Sequence, residues 1–168
     1  MLGVALLVAT PGLAGCGFGG IVGRKCTPEA DAVMRRLEAS PVLQLIPPDT
    51  TAHEPYSKRP CDDDDNLGSV SRQLTSTLKD RELLTYFREE FPKQGWGLRQ
   101  ELPGLSREPD GLRTGEPHQC YENPAEPNVT LEIFLGLGDN PDTDLFVAFH
   151  FNGGTYSCAN TTSPAQTR

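Results

Sequence analysis

The sequence predicts an α+β domain in which an antiparallel sheet packs against one main amphipathic helix, with an additional N-terminal helix and two disulfides. Three observations predict this class. The elements follow the order helix, strand, helix and then several strands. Two segments near the C-terminus alternate apolar and polar residues, which indicates strands with one buried face. Finally, of the five cysteines, all but Cys16 follow residue 25, and an even remainder suits two disulfides.

The first predicted helix begins at Thr27 and Pro28. Thr27 is a suitable N-cap, and proline is favourable at the first helical position. Apolar side chains then recur at the spacing of one helical face: Ala30, Val33, Met34 and Leu37. We expect the helix to run to about Ser40, because Pro41 ends it.

The chain between this helix and the next is harder to interpret. Val42–Ile46 is a short apolar run that fits either a strand or a loop. From there to Pro60 the chain is polar and rich in proline, so we expect a long surface loop. Ser69–Thr75 alternates and predicts a strand with three side chains on one face: Val70, Arg72 and Leu74.

The main predicted helix is Asp80–Phe91. Its apolar stripe consists of Leu84, Phe87 and Phe91, at i, i+3 and i+7. Gly95 can end this helix in the left-handed conformation. We expect a strand from Trp96 to about Glu101, with the tryptophan as an anchor in the core.

The C-terminal part of the domain predicts a β-hairpin. Val129–Leu135 and Leu145–Phe151 both alternate, and the sequence GDNPDTD between them is rich in turn residues. The predicted inner face contains Val129, Leu131, Ile133 and Leu135 of the first strand and Leu145, Val147, Phe149 and Phe151 of the second. We expect a further strand around Cys120, in the stretch His118–Glu122.

The N-terminus carries an export pattern. Leu2–Thr10 is apolar but too short to cross a membrane, which takes about 20 residues. The residues Leu13-Ala14-Gly15-Cys16 follow, and this stretch resembles the lipobox of bacterial lipoprotein precursors. The resemblance implies that the Cys16 thiol receives a diacylglyceryl group and that a signal peptidase cuts just before it. Acylation of the new N-terminal amine, by palmitate or a similar chain, is also implied.

Two alternatives remain for this segment, a signal anchor and plain secretion. No lysine or arginine stands at the start of the chain, which departs from ordinary signal peptides. Against an anchor, the seven glycines within Met1–Gly23 make a poor helix. The positive-inside rule would also place Arg24 and Lys25 in the cytoplasm, whereas the cysteines indicate an oxidising compartment.

The predicted organisation therefore has four parts. Residues 1–15 form a signal peptide and residues 16–25 a flexible, glycine-rich tether. Residues 26–158 form a single extracytoplasmic α+β domain, and residues 159–168 a loose tail. The net charge of −8 argues against a nucleic-acid partner and gives the domain no attraction to anionic lipid, so we expect the lipid to hold it at the cell membrane.

The cysteines of the domain are predicted to pair as Cys26–Cys61 and Cys120–Cys158. Four cysteines allow three connectivities. We choose this one because each bond closes a loop of similar size within one half of the chain. A metal site is the alternative, but no CxxC or CxxH spacing supports it, so we predict no metal and no cofactor.

Other polar groups do not combine into a known catalytic pattern. The acidic run Asp62–Asp65 departs from an EF-hand and predicts a solvated loop, with a looser Ca²⁺ site as the alternative. Asp139, Asp142 and Asp144 are a second candidate for a metal site, but such residues also shape turns, which is the interpretation we prefer. The SxxK match at Ser76–Lys79 lacks the partner motifs of penicillin-binding enzymes. The histidines are scattered: His53, His118 and His150.

These observations predict a lipid-anchored envelope protein whose domain binds an unidentified ligand or protein without catalysis. Two alternatives stay open. One is a small envelope hydrolase that uses histidine and aspartate residues brought together by folding. The other is a structural component of the envelope. A pocket that gathers the histidines with Asp62–Asp65 would favour the hydrolase, and their dispersal would favour the binding domain.

Overall fold

The computed structural model describes residues 26–62, 67–101, 118–136, 144–152 and 156–160. The predicted signal peptide, Cys16, the tether and the tail beyond residue 160 lie outside the described residues. So do three residues of the acidic run (Asp63, Asp64 and Asp65) and two aspartates of the predicted turn (Asp139 and Asp142).

The domain is α+β, as predicted. Its helices are α1 (Pro28–Glu38) and α2 (Asp80–Glu90). Its strands are β1 (Thr50–Lys58), β2 (Leu67–Ser76), β3 (Gly97–Glu101), β4 (Gln119–Glu122), β5 (Val129–Leu135) and β6 (Asp144–Asn152). The strands form one antiparallel sheet in the order β1-β2-β6-β5-β4-β3. Short 3₁₀ turns span Pro41–Gln44, Phe91–Gln94 and Cys158–Asn160.

The helix ends follow the predicted capping signals. The Thr27 side chain accepts a hydrogen bond from the Ala30 amide at 3.2 Å, and Pro28 opens α1. After α2 and its 3₁₀ turn, Gly95 adopts the left-handed conformation with φ 87°. Both helices are 11 residues long, so the predicted division into one main and one additional helix is only loosely matched.

One face of the sheet and both helices enclose the core. α1 contributes Met34 and Leu37, and α2 contributes Leu83, Leu84 and Phe87. The predicted inner face of the hairpin is buried against them, in the register Leu131 opposite Phe149 and Ile133 opposite Val147. The Trp96 ring lies 5.2 Å from the Phe149 ring, which confirms the tryptophan as a core anchor.

The predicted loop between Ile46 and Pro60 is wrong, because Thr50–Lys58 forms the edge strand β1. The prolines argue against a strand in the sequence pattern. Pro55 lies at a register shift in the pairing with β2. A strand tolerates proline at such an irregularity on the edge of a sheet. Val42, in the run left open between strand and loop, lies in the 3₁₀ turn Pro41–Gln44.

Both predicted cysteine pairs lie within disulfide distance. The Cα atoms of Cys26 and Cys61 are 5.2 Å apart, and those of Cys120 and Cys158 are 5.6 Å apart. The first bond fastens the start of α1 to the chain that follows β1. The second fastens β4 to the last 3₁₀ turn.

Candidate functional site

The sheet face that points away from the helices, here called the outer face, is also buried along its centre. Cys120, Thr130, Glu132 and Ala148 are each at most 3 % exposed. As a result all seven residues of β5 are buried, whereas the alternation predicted one buried face. The signal that sequence reasoning passed over is the apolar character of the alternate positions Phe134, Phe146 and Ala148.

A buried carboxylate lies at the centre of the outer face. Glu132 is 2 % exposed, and its Oε1 accepts a hydrogen bond from the Thr130 hydroxyl at 2.5 Å. Its Oε2 lies 3.1 Å from His150 Nδ1. The centroid of the His150 imidazole also lies 5.8 Å from that of the Phe134 ring and 6.2 Å from that of the Tyr156 ring. Burial, and next the Glu132 charge, raise the pKa of the Tyr156 hydroxyl above its usual range.

A second polar network occupies the other end of the outer face. The side chains of Gln73 and Thr75 donate to the two oxygens of Asp144 at 2.9 and 2.8 Å. His53 Nε2 lies 2.9 Å from the Thr75 hydroxyl. Because that hydroxyl has one proton and gives it to Asp144, Nε2 of His53 acts as the donor.

The histidines therefore do not share a site. Asp144 and His150 are six residues apart on β6, which separates the two networks by about 20 Å. His118 belongs to neither, and its Nδ1 accepts from the Leu135 amide at 3.2 Å. Asp62, the described member of the acidic run, caps the turn at Arg59 by accepting from its amide at 3.0 Å.

The other chemical candidates have structural roles. Ser76, in the SxxK match, accepts hydrogen bonds from the Thr50 hydroxyl and the Leu78 amide just before α2. Potential metal ligands cluster at Cys26, Cys61 and Asp62. The two sulfurs of that cluster are joined to each other, so they offer no thiolate to a metal.

Among the described residues, a groove lies between the C-terminal end of α1, the residues just before β3 and the turn that follows β4. We call it the α1 groove. Its volume is about 350 Å³, which lies within the size range of small-molecule sites. The floor consists of Leu37, Val42 and Trp96, all at most 3 % exposed. The rim consists of Arg36, Ser40, Gln94, Asn123 and Glu126, with Ala39 and Pro41 completing the wall.

A paired guanidinium and carboxylate form one side of this rim. Arg36 Nε and Nη2 donate to the two oxygens of Glu126 at 2.7 and 2.6 Å. This hydrogen bonding raises the pKa of the Arg36 guanidinium. The two residues are 90 positions apart in sequence, so α1 is tied directly to the loop between β4 and β5. The Arg36 side chain is 52 % exposed and that of Glu126 is 18 % exposed.

The part of the rim that Asn123 forms is shaped by a glycine. A Cβ at Gly95 would lie 3.1 Å from Asn123 Nδ2, so the glycine leaves room for this amide. Asn123 Oδ1 accepts from the Ala125 amide at 3.0 Å, which fixes the orientation of the side chain. Glu126 is placed by the same turn, since its amide donates to the Asn123 carbonyl at 2.9 Å.

Comparisons with protein families, with curated proteins and with solved structures found no match for this chain. Within the part of the chain that the structure describes, neither helix has the length and apolar character needed to cross a membrane.

Proposed function

We propose that this chain is a bacterial envelope lipoprotein, held at the extracytoplasmic side of the cell membrane through Cys16, and that its domain binds a ligand or partner there without catalysis. The observation that carries the proposal is the lipobox-like stretch Leu13-Ala14-Gly15-Cys16, where a small-residue pair and a leucine precede a cysteine after an apolar run.

The cysteine pairs support this proposal. Of the five cysteines in the chain, four lie in the pairs Cys26–Cys61 and Cys120–Cys158, so Cys16 is left for modification. Disulfides of this kind form and persist in oxidising compartments such as the periplasm or the cell surface. The cysteine pairs and the lipobox-like stretch therefore both support an exported domain.

The charge of the protein also fits a lipid anchor. With a net charge of −8 the chain gains no electrostatic attraction to anionic lipid. A single acyl chain binds a membrane only weakly and reversibly, whereas two or three chains hold firmly. The lipid on Cys16 would accordingly provide the attachment, and the glycine-rich residues 17–25 would act as the tether.

The α1 groove supports the binding role. It combines an apolar floor with a polar rim, which is the usual composition of a small-molecule site. The hydrolase alternative has less support, because His53, His118 and His150 belong to three separate sets of contacts. The carboxylate beside His150 is buried, and a substrate would have to reach it from solvent.

Replacement of Cys16 tests the anchor. In Cys16→Ser we expect loss of incorporation of a labelled fatty acid and accumulation of the unprocessed precursor, because the modified thiol is absent. Gly17→Ser, one position further, is the matched control and should be labelled and processed as the wild type. Mass spectrometry of the mature wild-type protein that found an unmodified Cys16 would disprove the proposal.

A further inference from the structure

The rim of the α1 groove places hydrogen-bond donors beside acceptors. From this arrangement we infer that the α1 groove binds a neutral saccharide. The inference deepens the proposed function, since it names the ligand class that the binding domain would take, and it rests on the groove residues and not on the anchor.

The guanidinium and carboxylate at the rim retain unused hydrogen-bonding capacity. An arginine side chain has five N–H donors, and Arg36 gives two of them to Glu126. Each carboxylate oxygen can accept two hydrogen bonds and receives one from Arg36. Donors and acceptors therefore stand next to each other, and a hydroxyl group, which both donates and accepts, matches such a pair. Neighbouring hydroxyls on a sugar ring present this pattern repeatedly.

The amide side chains extend the same pattern. Gln94 and Asn123 each carry an NH₂ donor and a carbonyl acceptor. The Asn123 oxygen is occupied by the Ala125 amide, so its NH₂ group is the part left for a ligand. Ser40 adds a hydroxyl whose oxygen accepts from the Val42 amide at 3.4 Å, so its proton remains available for donation.

The ion pair at the rim favours a neutral ligand over a charged one. A ligand carboxylate at Arg36 would lie beside the Glu126 carboxylate, and a ligand ammonium at Glu126 would lie beside the Arg36 guanidinium, so either would be repelled by a like charge. Both contacts of the existing pair are short, at 2.7 and 2.6 Å, and charge-assisted hydrogen bonds are the strong ones. A hydroxyl binds to the intact pair without this repulsion.

The size and the floor of the groove fit a small ring. A volume of about 350 Å³ is at the lower end for ligand sites. Ala39 and Pro41, the exposed apolar residues of the lining, offer a small apolar surface above the buried side chains Leu37, Val42 and Trp96, which suits the C–H face of a pyranose. An amphipathic partner helix fits less well, because its apolar face would meet the charged and amide groups of the rim.

Titration with N-acetylglucosamine, followed by ¹⁵N NMR on the full chain in detergent, tests the inference. We expect saturable shifts at millimolar sugar for the backbone amides of Ser40, Gln94 and Asn123. The outer-face amides of Thr130 and His150 should not move. Glucuronic acid and glucosamine, which carry a charge, should bind at least several-fold more weakly than N-acetylglucosamine.

Matched substitutions assign the binding to the groove. Arg36→Ala should weaken sugar affinity about tenfold, which corresponds to about 1.4 kcal/mol. Arg35→Ala removes the neighbouring exposed arginine of α1 and should change affinity less than twofold. If Arg36→Ala proves poorly folded, Gln94→Ala tests a second rim residue by the same affinity measurement. Lys93→Ala, at a neighbouring position outside the groove lining, is its control.

Three results would overturn the inference: no saturable shift with N-acetylglucosamine, equal losses in Arg36→Ala and Arg35→Ala, or binding of glucuronic acid as tight as that of the neutral sugar. None of them bears on Cys16. A lipidated chain that does not bind sugar refutes the ligand class alone, and an unmodified Cys16 in a sugar-binding chain refutes the anchor alone.

Discussion

At the scale of single residues, Glu132 is the least exposed carboxylate among the described residues. A carboxylate that is 2 % exposed loses nearly all of its hydration, and it is tolerated only when hydrogen bonds replace the water. Thr130 and His150 supply one contact to each oxygen. The outer face thus depends on three side chains from two adjacent strands that satisfy one another.

Removal of His150 should therefore destabilise the fold. His150→Ala leaves Oε2 of Glu132 buried without its hydrogen-bond partner, and an unsatisfied buried acceptor of this kind costs about 1–3 kcal/mol. Urea unfolding measures the loss. His53→Ala is the matched control, because His53 is at a more exposed position and contacts a hydroxyl, so its loss should stay within about 1 kcal/mol. Equal losses in the two variants would contradict the special role of the Glu132 pair.

At the scale of secondary-structure elements, β2 and β6 approach closely through a glycine. Gly68 pairs with Phe151, and the aromatic ring lies directly over the glycine. A Cβ added at Gly68 would be 2.4 Å from Phe151 Cζ and 2.8 Å from Pro60 Cγ. The absence of a side chain, and not an unusual backbone angle, is what the packing requires here.

Gly68→Ala should consequently lower the free energy of unfolding by about 1–3 kcal/mol, the range for overpacking. The gain from a less flexible unfolded chain, about 0.4–1 kcal/mol, offsets this only in part. Gly97→Ala in β3 is the control, since the nearest atom to its added Cβ is the Glu122 carbonyl oxygen at 3.9 Å, an ordinary contact. A Gly68→Ala protein as stable as the wild type would show that Phe151 repacks without cost.

At the scale of the whole molecule, two disulfides fasten the ends of the described domain to its sheet. Cys26–Cys61 spans 35 residues and Cys120–Cys158 spans 38. On the loop-entropy description each bond stabilises the fold by about 4 kcal/mol. The second bond is also buried, with both cysteines at most 2 % exposed.

Peptide mapping without reduction should find only these two pairs. Replacing Cys26 and Cys61 together by alanine should cost about 4 kcal/mol in chemical unfolding. The double alanine variant of Cys120 and Cys158 should cost at least as much, because it also leaves a space in a buried region. A Cys26–Cys120 link would contradict the topology, and four free thiols would contradict the proposed export as well.

Elements with a strong local signal could be predicted from the sequence. α1 has an N-cap threonine and a proline at its first position, and Gly95 ends the turn after α2 because only glycine adopts φ 87° at little cost. The hairpin of β5 and β6 has an unbroken alternation over both strands. β1 could not be predicted, because Pro55 and exposed polar residues hide a strand whose pairing is decided by β2.

For the candidate site, too, some features follow from the sequence and others only from the tertiary structure. The sequence by itself determined the apolar N-terminal run, the lipobox-like stretch, the even number of remaining cysteines and the faces of the hairpin. All of these depend on residues close together in the chain. Only the tertiary structure decided that Arg36 contacts Glu126, 90 residues away, that Gly95 makes room for Asn123, and that Glu132 is buried. A long-range contact leaves no periodic trace in a sequence, because it depends on how separate elements pack.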